Sequence, residues 1–235
     1  MTASAGRRLP WAPSSDKTLP FSPRPLSAGE QSAGDLYVYW SPKNQRRIDV
    51  LDVSSLAYAL VLEFDPTVAG YVERPCAIQA TESIRLSVSF WVSIPKGEDR
   101  FVFLAPTPIE ASRRSQLQAR SDQEIEAIGA RSGLRITIVH DADILADQEH
   151  IAGLYRLLPF FQQASRITDI DVIMDGVAAL AQSCHQVSIG ELVRSLSGSR
   201  SRVMSAIATF IAMGMLEVST WEGFGGHSLV AWKES

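Results

Sequence analysis

Residues 37–75 read YVYWSPKNQRRIDVLDVSSLAYALVLEFDPTVAGYVERP, and the rest of the chain is arranged around them. Leu36–Trp40 and Arg47–Leu51 are rich in β-branched, aromatic and aliphatic residues, and they flank Ser41-Pro42-Lys43-Asn44-Gln45, a turn composition. They predict a strand pair. Asp52 or Ser54 can cap a helix that runs through Leu56, Leu60 and Leu62 to about Phe64. Asp65-Pro66 ends it, because a residue before proline is pushed out of the helical region. Val68–Val72 then reads as an extended piece.

Downstream, Cys76–Ala80 is a second short extended piece. Ile84–Val92 alternates: Ile84, Leu86, Val88, Phe90 and Val92 share one face, and Arg85, Ser87, Ser89 and Trp91 the other. After the turn residues Pro95–Asp99, Phe101–Ala105 is a continuous apolar run, the pattern of a strand buried on both faces. Residues 109–131 read as a polar helix, Leu134–Val139 as a second buried strand and 147–163 as a helix. Helix, three central strands, helix, strand, helix implies a mixed α/β sheet covered by helices.

The pattern changes after Gln163. Residues 169–183 form a helical period, and Ser188-Ile189-Gly190-Glu191 has capping-box spacing for a helix to Leu196. Arg200–Met213 is a third helix, followed by strands over Leu216–Trp221 and Ser228–Lys233 around the Gly-rich segment Glu222–His227. Three helices and a β-hairpin make a winged-helix arrangement for residues 166–235. At the other end, residues 1–34 carry Pro10, Pro13, Pro20, Pro23 and Pro25 and no apolar period, which predicts a flexible arm dispensable for folding. Trp11 and Phe21 are its large apolar groups, read as solvated linker aromatics or docking anchors. The expected division is therefore an arm over 1–34, an α/β domain over 35–165 and the winged helix over 166–235.

In 235 residues, 46% apolar and 20% charged, wholesale disorder and rod-like repeats are excluded. No apolar run reaches the roughly 20 residues that span a bilayer, and two cysteines, Cys76 and Cys184, form no disulfide scaffold. A cytoplasmic protein without membrane contact is expected. The net charge of −4 divides as +4 over 1–47, −6 over 48–165 and −2 over 166–235, so no segment is a basic block for non-specific nucleic-acid binding.

The segment from Tyr37 to Pro75 resembles the opening of TnsA-type transposon-end endonucleases: a hairpin with a Ser-x-Lys turn, a helix ending Leu-Glu-Phe-Asp-Pro, and a strand ending near Pro75. Ser89-Phe90-Trp91-Val92, Phe103-Leu104-Ala105-Pro106 and Ile136–Ile144 fall where that family has its later strands, and the winged-helix tail follows in place. The resemblance, over residues 36–235, implies a restriction-endonuclease-like fold. The family uses a helix Glu, a strand Asp, a Glu or Gln and a Lys to hold Mg²⁺ and activate water, since phosphodiester cleavage needs carboxylates around a hard cation. Here those positions fall on Ser55, Ser89, Phe103 and Ala105. None of these can hold a divalent ion, so the resemblance implies no catalytic residues, no metal site and no cofactor. Asp49, Asp52, Glu63, Glu73, Glu82 and Lys96 lie in the same region and are expected to be solvated surface charges.

Other clusters read as structural. His140-Asp141-x-Asp143 fits a strand-to-helix turn, and Cys184-His185 lacks an orienting acid. Arg194, Ser199, Arg200, Ser201 and Arg202 gather near the start of the third helix, where exposed N–H groups favour phosphate, and form the expected DNA-binding set. A protein-docking role for the same unit is the competing reading. The leading function implied is a non-catalytic TnsA-like pseudoenzyme of a transposition or other mobile-element complex, with duplex DNA and transposase and ATPase subunits as partners. The alternatives are an active Mg²⁺-dependent endonuclease cutting at transposon ends and a winged-helix transcriptional regulator.

Overall fold

The computed structural model describes residues 19–79, 85–95, 97–106 and 121–233. The quoted stretch forms the expected hairpin and helix: β1 (Leu36–Ser41) pairs antiparallel with β2 (Arg46–Leu51), and α2 (Val53–Phe64) follows. A short helix, α1 (Ala28–Ala33), precedes them. The central sheet has four strands. β3 (Gly70–Glu73) pairs antiparallel with β6 (Phe90–Ser93), β6 antiparallel with β7 (Arg100–Ala105), and β7 parallel with β8 (Ile136–His140). A separate hairpin, β4 (Ala77–Gln79) and β5 (Arg85–Ser87), interrupts the order. α3 (Asp122–Arg131) provides the crossover that a parallel pair requires. The class is α/β, a mixed sheet with flanking helices.

α4 (Asp141–Leu145) and the 17-residue α5 (Gln148–Ala164) lead into α6 (Ile170–Ser183), β9 (Val187–Ser188), α7 (Ile189–Ser195), α8 (Arg200–Ala212), β10 (Leu216–Val218) and β11 (Leu229–Trp232). The capping box at Ser188 is formed: Glu191 N–H donates to Ser188 Oγ at 3.1 Å and Ser188 N–H to Glu191 Oε2 at 3.0 Å. The C-terminal hairpin gains a third strand, giving the order β10-β11-β9. No helix among the described residues is long and apolar enough to cross a membrane.

Several sequence expectations are corrected. The alternating run 84–92 is two strands, because at Val88 and Ser89 the backbone changes partners. Val88 N–H donates to Cys76 O, whereas Ser89 N–H donates to Val102 O in the main sheet. β8 is a half-buried strand rather than a fully buried one, since it pairs on one side only. The helix expected over 109–131 is described only as Asp122–Arg131; its first half lies outside the described residues.

The arm is not free from residue 19 on. Phe21 packs 5.5 Å from both Trp91 and Phe101, edge-on to the latter, and Arg24 N–H donates to Arg74 O at 3.0 Å. Proline-rich composition removed the periodic signal but not these contacts. Trp11 lies outside the described residues. The boundary at residue 165 is likewise one of chain order and not of packing. One hydrophobic cluster runs from Tyr39 and Leu60 through Leu157 and Phe161 to Ile207, Phe210 and Val230. At Gly153 on α5 a Cβ would stand 2.2 Å from the Trp221 ring, so glycine is what lets that indole approach the helix.

The carboxylate expected on the surface, Glu63, is fully buried. Its Oε2 accepts from Ser41 Oγ at 2.6 Å and Tyr71 OH at 2.5 Å, and its Oε1 accepts from Lys43 N–H at 2.8 Å. The Lys43 ammonium, also buried, donates to the carbonyls of Leu62 at 2.7 Å and Asp65 at 2.5 Å, closing the end of α2. Burial pushes the Glu63 carboxyl up against the pull of these hydrogen bonds, and burial holds Lys43 down to about 8.

Two outcomes follow from this knot. Glu63→Ala removes the shared acceptor of three buried donors, and is expected to cost about 3–5 kcal/mol. Thermal unfolding should show a melting temperature lower by on the order of 10 °C; an unchanged value would mean that the site is solvated. Lys43 carries its burial penalty in full below its folded value of about 8. From there up to 10.5 the unfolded chain binds more protons at this residue than the folded one, so its contribution to stability improves as pH rises. The difference in unfolding free energy between wild type and Lys43→Met, taken from urea melts across that window, should therefore move in favour of wild type; a flat difference would oppose the assignment.

Candidate functional site

Three of the four positions at which the resemblance places catalytic groups line one cleft of about 340 Å³: Ser55, Ser89 and Phe103. α2 contributes Ser55 from its first turn. Ser89 stands just before β6, and Phe103 lies on β7, the neighbouring strand. Ala105, two residues on and on the same face of β7, does not line the cleft but shares with Phe103 the small apolar cluster of Ile125 and Ile128. The sequence thus brings these positions together spatially while supplying no carboxylate at any of them.

Each has a structural occupation. Ser89 Oγ accepts from Leu104 N–H at 3.0 Å, so the hydroxyl completes the β6–β7 ladder. Ser55 N–H donates to Asp52 Oδ1 at 2.7 Å, the cap of α2. Phe103 is apolar and buried. Among the described residues no three His, Cys, Asp or Glu side chains come together in a group that could hold a metal ion.

The charges around the cleft are mostly committed to one another. Arg74 reaches from the end of β3 to Asp49, donating Nη2 to its carboxylate at 3.1 Å and Nη1 to its carbonyl. Its own N–H donates to Ser89 O at 2.8 Å, and its Nε to Arg24 O at 3.1 Å. Arg24 forks onto Glu30 at 2.7 and 3.1 Å, and that contact together with the Ser27 cap holds the Glu30 carboxyl down to about 2. Arg85 donates to Gln79 Oε1 at 2.9 Å. Glu73, expected on the surface, is buried and paired with Arg46, while Asp49 is half-buried against Arg74. Glu82 and Lys96 lie outside the described residues. The arm is therefore a wall of the cleft, a part that sequence reading missed because Arg24 and Glu30 signal only through distant partners.

Backbone strain concentrates here. Asp52 has φ 67° and Arg74 φ 48°, two of the three non-glycine residues with positive φ among those described; the third is Gln45 in the β1–β2 turn. Side chains rarely adopt such backbone, at a cost of about 1–3 kcal/mol each. Asp52 is exposed by area yet looks into the cleft, whose walls limit its hydration and push its carboxyl up.

The expected DNA-binding set is divided. Arg194 and Arg200 are exposed, as is Ser199, whose side chain makes no cap bond. Arg202 is ion-paired with Asp169, and Ser201 Oγ donates to Gln163 Oε1 at 2.7 Å. These two contacts fasten α8 to Gln163 of α5 and to Asp169, with the Arg202 side chain still 37% exposed. Beyond them Val203–Ala212 is buried without a break, so only the first turn of α8 is accessible. A helix wrapped by α5, α6 and α7 has no face to lay in a groove. Among the other clusters, His140 Nε2 lies 3.2 Å from Asp122 Oδ2 at the surface, and Cys184 is an exposed free thiol.

No family model matches the chain, and no curated protein matches it.

If the strain at Asp52 is retained for use and not for stability, glycine there should stabilise the fold. Asp52→Gly gives up a cap at a cost of a few tenths of a kcal/mol and relieves about 1–3 kcal/mol of backbone strain. Denaturant melts should show a net gain of about 1 kcal/mol; a loss of that size would make Asp52 a stability residue only.

Proposed function

We propose that the chain is a non-cleaving, TnsA-like component of a DNA transposition complex, with a restriction-endonuclease-like domain joined to a winged helix. The observation that carries this reading is the convergence of Ser55, Ser89 and Phe103 on one cleft. A resemblance confined to composition would have no reason to bring these positions together, and the residue types there cannot fix a hard cation. The order α2, three strands of the main sheet, α3, β8 supports the same reading.

The partner is a transposase- or ATPase-type subunit together with duplex DNA. Protein docking is favoured as the main task of the C-terminal unit, because α8 is buried over ten consecutive residues and Arg202 is occupied by Asp169. DNA contact by this unit falls to the first turn of α8 and to Arg194. An endonuclease with rearranged ligands gains no support, since Glu63 and Glu73 are buried in pairings of their own. A transcriptional regulator would need the third helix as a reader.

Two assays test the proposal. Purified protein should leave supercoiled and duplex DNA intact with Mg²⁺ or Mn²⁺; nicking that EDTA abolishes would overturn the non-cleaving assignment. In an anisotropy salt titration, Arg200→Ala should lower the salt slope by about 0.9 if Arg200 meets a phosphate, with Arg202→Ala leaving it unchanged. A reduction of the same size in both variants would restore the whole first turn as the contact.

A further inference from the structure

A second concavity, independent of the cleft and of the function proposed for it, lies between β1 and α5. It measures about 360 Å³, and its walls include Tyr37, Trp40, Leu56, Tyr155, Leu158 and Pro159, with no charged side chain among the described lining residues. Trp40 is 47% exposed and Tyr155 57%, and the neighbouring Leu36 and Val38 are also turned outward from β1. Singly exposed apolar residues need no explanation, but a contiguous set of this kind marks a contact surface. Pro159 adds a polar handle. It has no N–H, so the helical bond that the Tyr155 carbonyl would accept is missing on the groove wall. Across the groove Gln162 Nε2 donates to Trp40 O at 2.8 Å and fixes the two walls together.

Aromatic rings facing an uncharged trough are the surface that takes a proline-rich segment. Such a segment is already extended, has no internal hydrogen bonds to lose, and packs its rings on aromatic faces. We propose that Leu9–Pro13 of this same chain, LPWAP, occupies the groove, with Trp11 as its anchor. The described chain begins at Leu19, whose side chain lies beside Gly70 together with that of Asn44, at 3.4 and 3.2 Å from where a Cβ of residue 70 would stand; Asn44 lies in the turn that follows Trp40 and Ser41. The eight residues from Leu19 back to Trp11 reach about 25 Å at 3.1 Å per residue. The six-residue β1 is about 20 Å long. The segment is uncharged, like the groove. Phe21, the other large aromatic of the arm, is already docked on Trp91 and Phe101, so the arm uses aromatic anchors where it is described.

The test compares full-length wild type with full-length Trp11→Ala by hydroxyl-radical footprinting, reading oxidation of Trp40 and Tyr155 with Trp232 as the internal control. A groove filled nine-tenths of the time reacts about tenfold more slowly than an open one. Trp11→Ala should therefore raise oxidation of Trp40 and Tyr155 severalfold, leave Trp232 unchanged, and do so equally at every protein concentration. Equal oxidation in the two proteins would overturn the proposal. So would protection that grows with protein concentration and survives Trp11→Ala, since the occupant would then be a second copy pairing through β1.

Discussion

One carboxylate, Glu63, ties together the three segments on which the rest of the molecule is built. It sits in the last turn of α2, and its acceptors are filled from the β1–β2 turn through Ser41 and Lys43 and from β3 through Tyr71. Tyr39 and Tyr71 share a further hydrogen bond of 2.6 Å beside it. A buried charge is tolerable only where its lone pairs are met and a counter-charge is close. The Lys43 ammonium meets the second condition while serving the carbonyls at the end of the helix. The position of α2 against the sheet, and with it the direction in which its first turn faces, is fixed by polar geometry as well as by apolar packing.

The cleft depends on that placement. Its floor is the start of α2 and its sides are β6 and β7, so a shift of the helix would separate Ser55 from Ser89 and Phe103. The groups around it are bound to one another. Arg74 links arm, β2 and β6, and Ser89 completes a ladder bond that a side chain must supply because the backbone changes partners there. The charged lining groups Arg24, Glu30, Glu73, Arg74 and Arg85 are each held by a partner, so the shape of the pocket is set by polar contacts as well as by Phe90 and Phe103.

The local signals in the sequence were accurate wherever the physics was local. The stop of α2 at Asp65-Pro66 and the Ser188 capping box formed as read, and of the two caps open to α2, Asp52 and Ser54, it is Asp52 that takes the role; each is set by residues within four positions of each other. What was not legible depended on partners far along the chain. Glu63 looked like a solvated acid because nothing near it in sequence announces Ser41 or Tyr71. Arg202 looked available because Asp169 lies 33 positions away. Phe21 and Arg24 had no periodicity to betray their contacts. Nothing local marks Ser55, Ser89 and Phe103 as cleft residues, since Ser, Ser and Phe carry no chemical signature of their own.

The close seating of Trp221 on Gly153 bears on how such a chain can change over time. A helix that has given up a side chain to admit an indole from 68 positions later is no longer a neutral surface. Neither half can be exchanged for a homologue carrying an ordinary residue at that place without a collision, and Gly214, at φ 70° with Pro66 beside it, repeats the constraint at the far end of α8. The two halves are consequently committed to co-inheritance: recombination that respects the order of the elements would still fail at the seam.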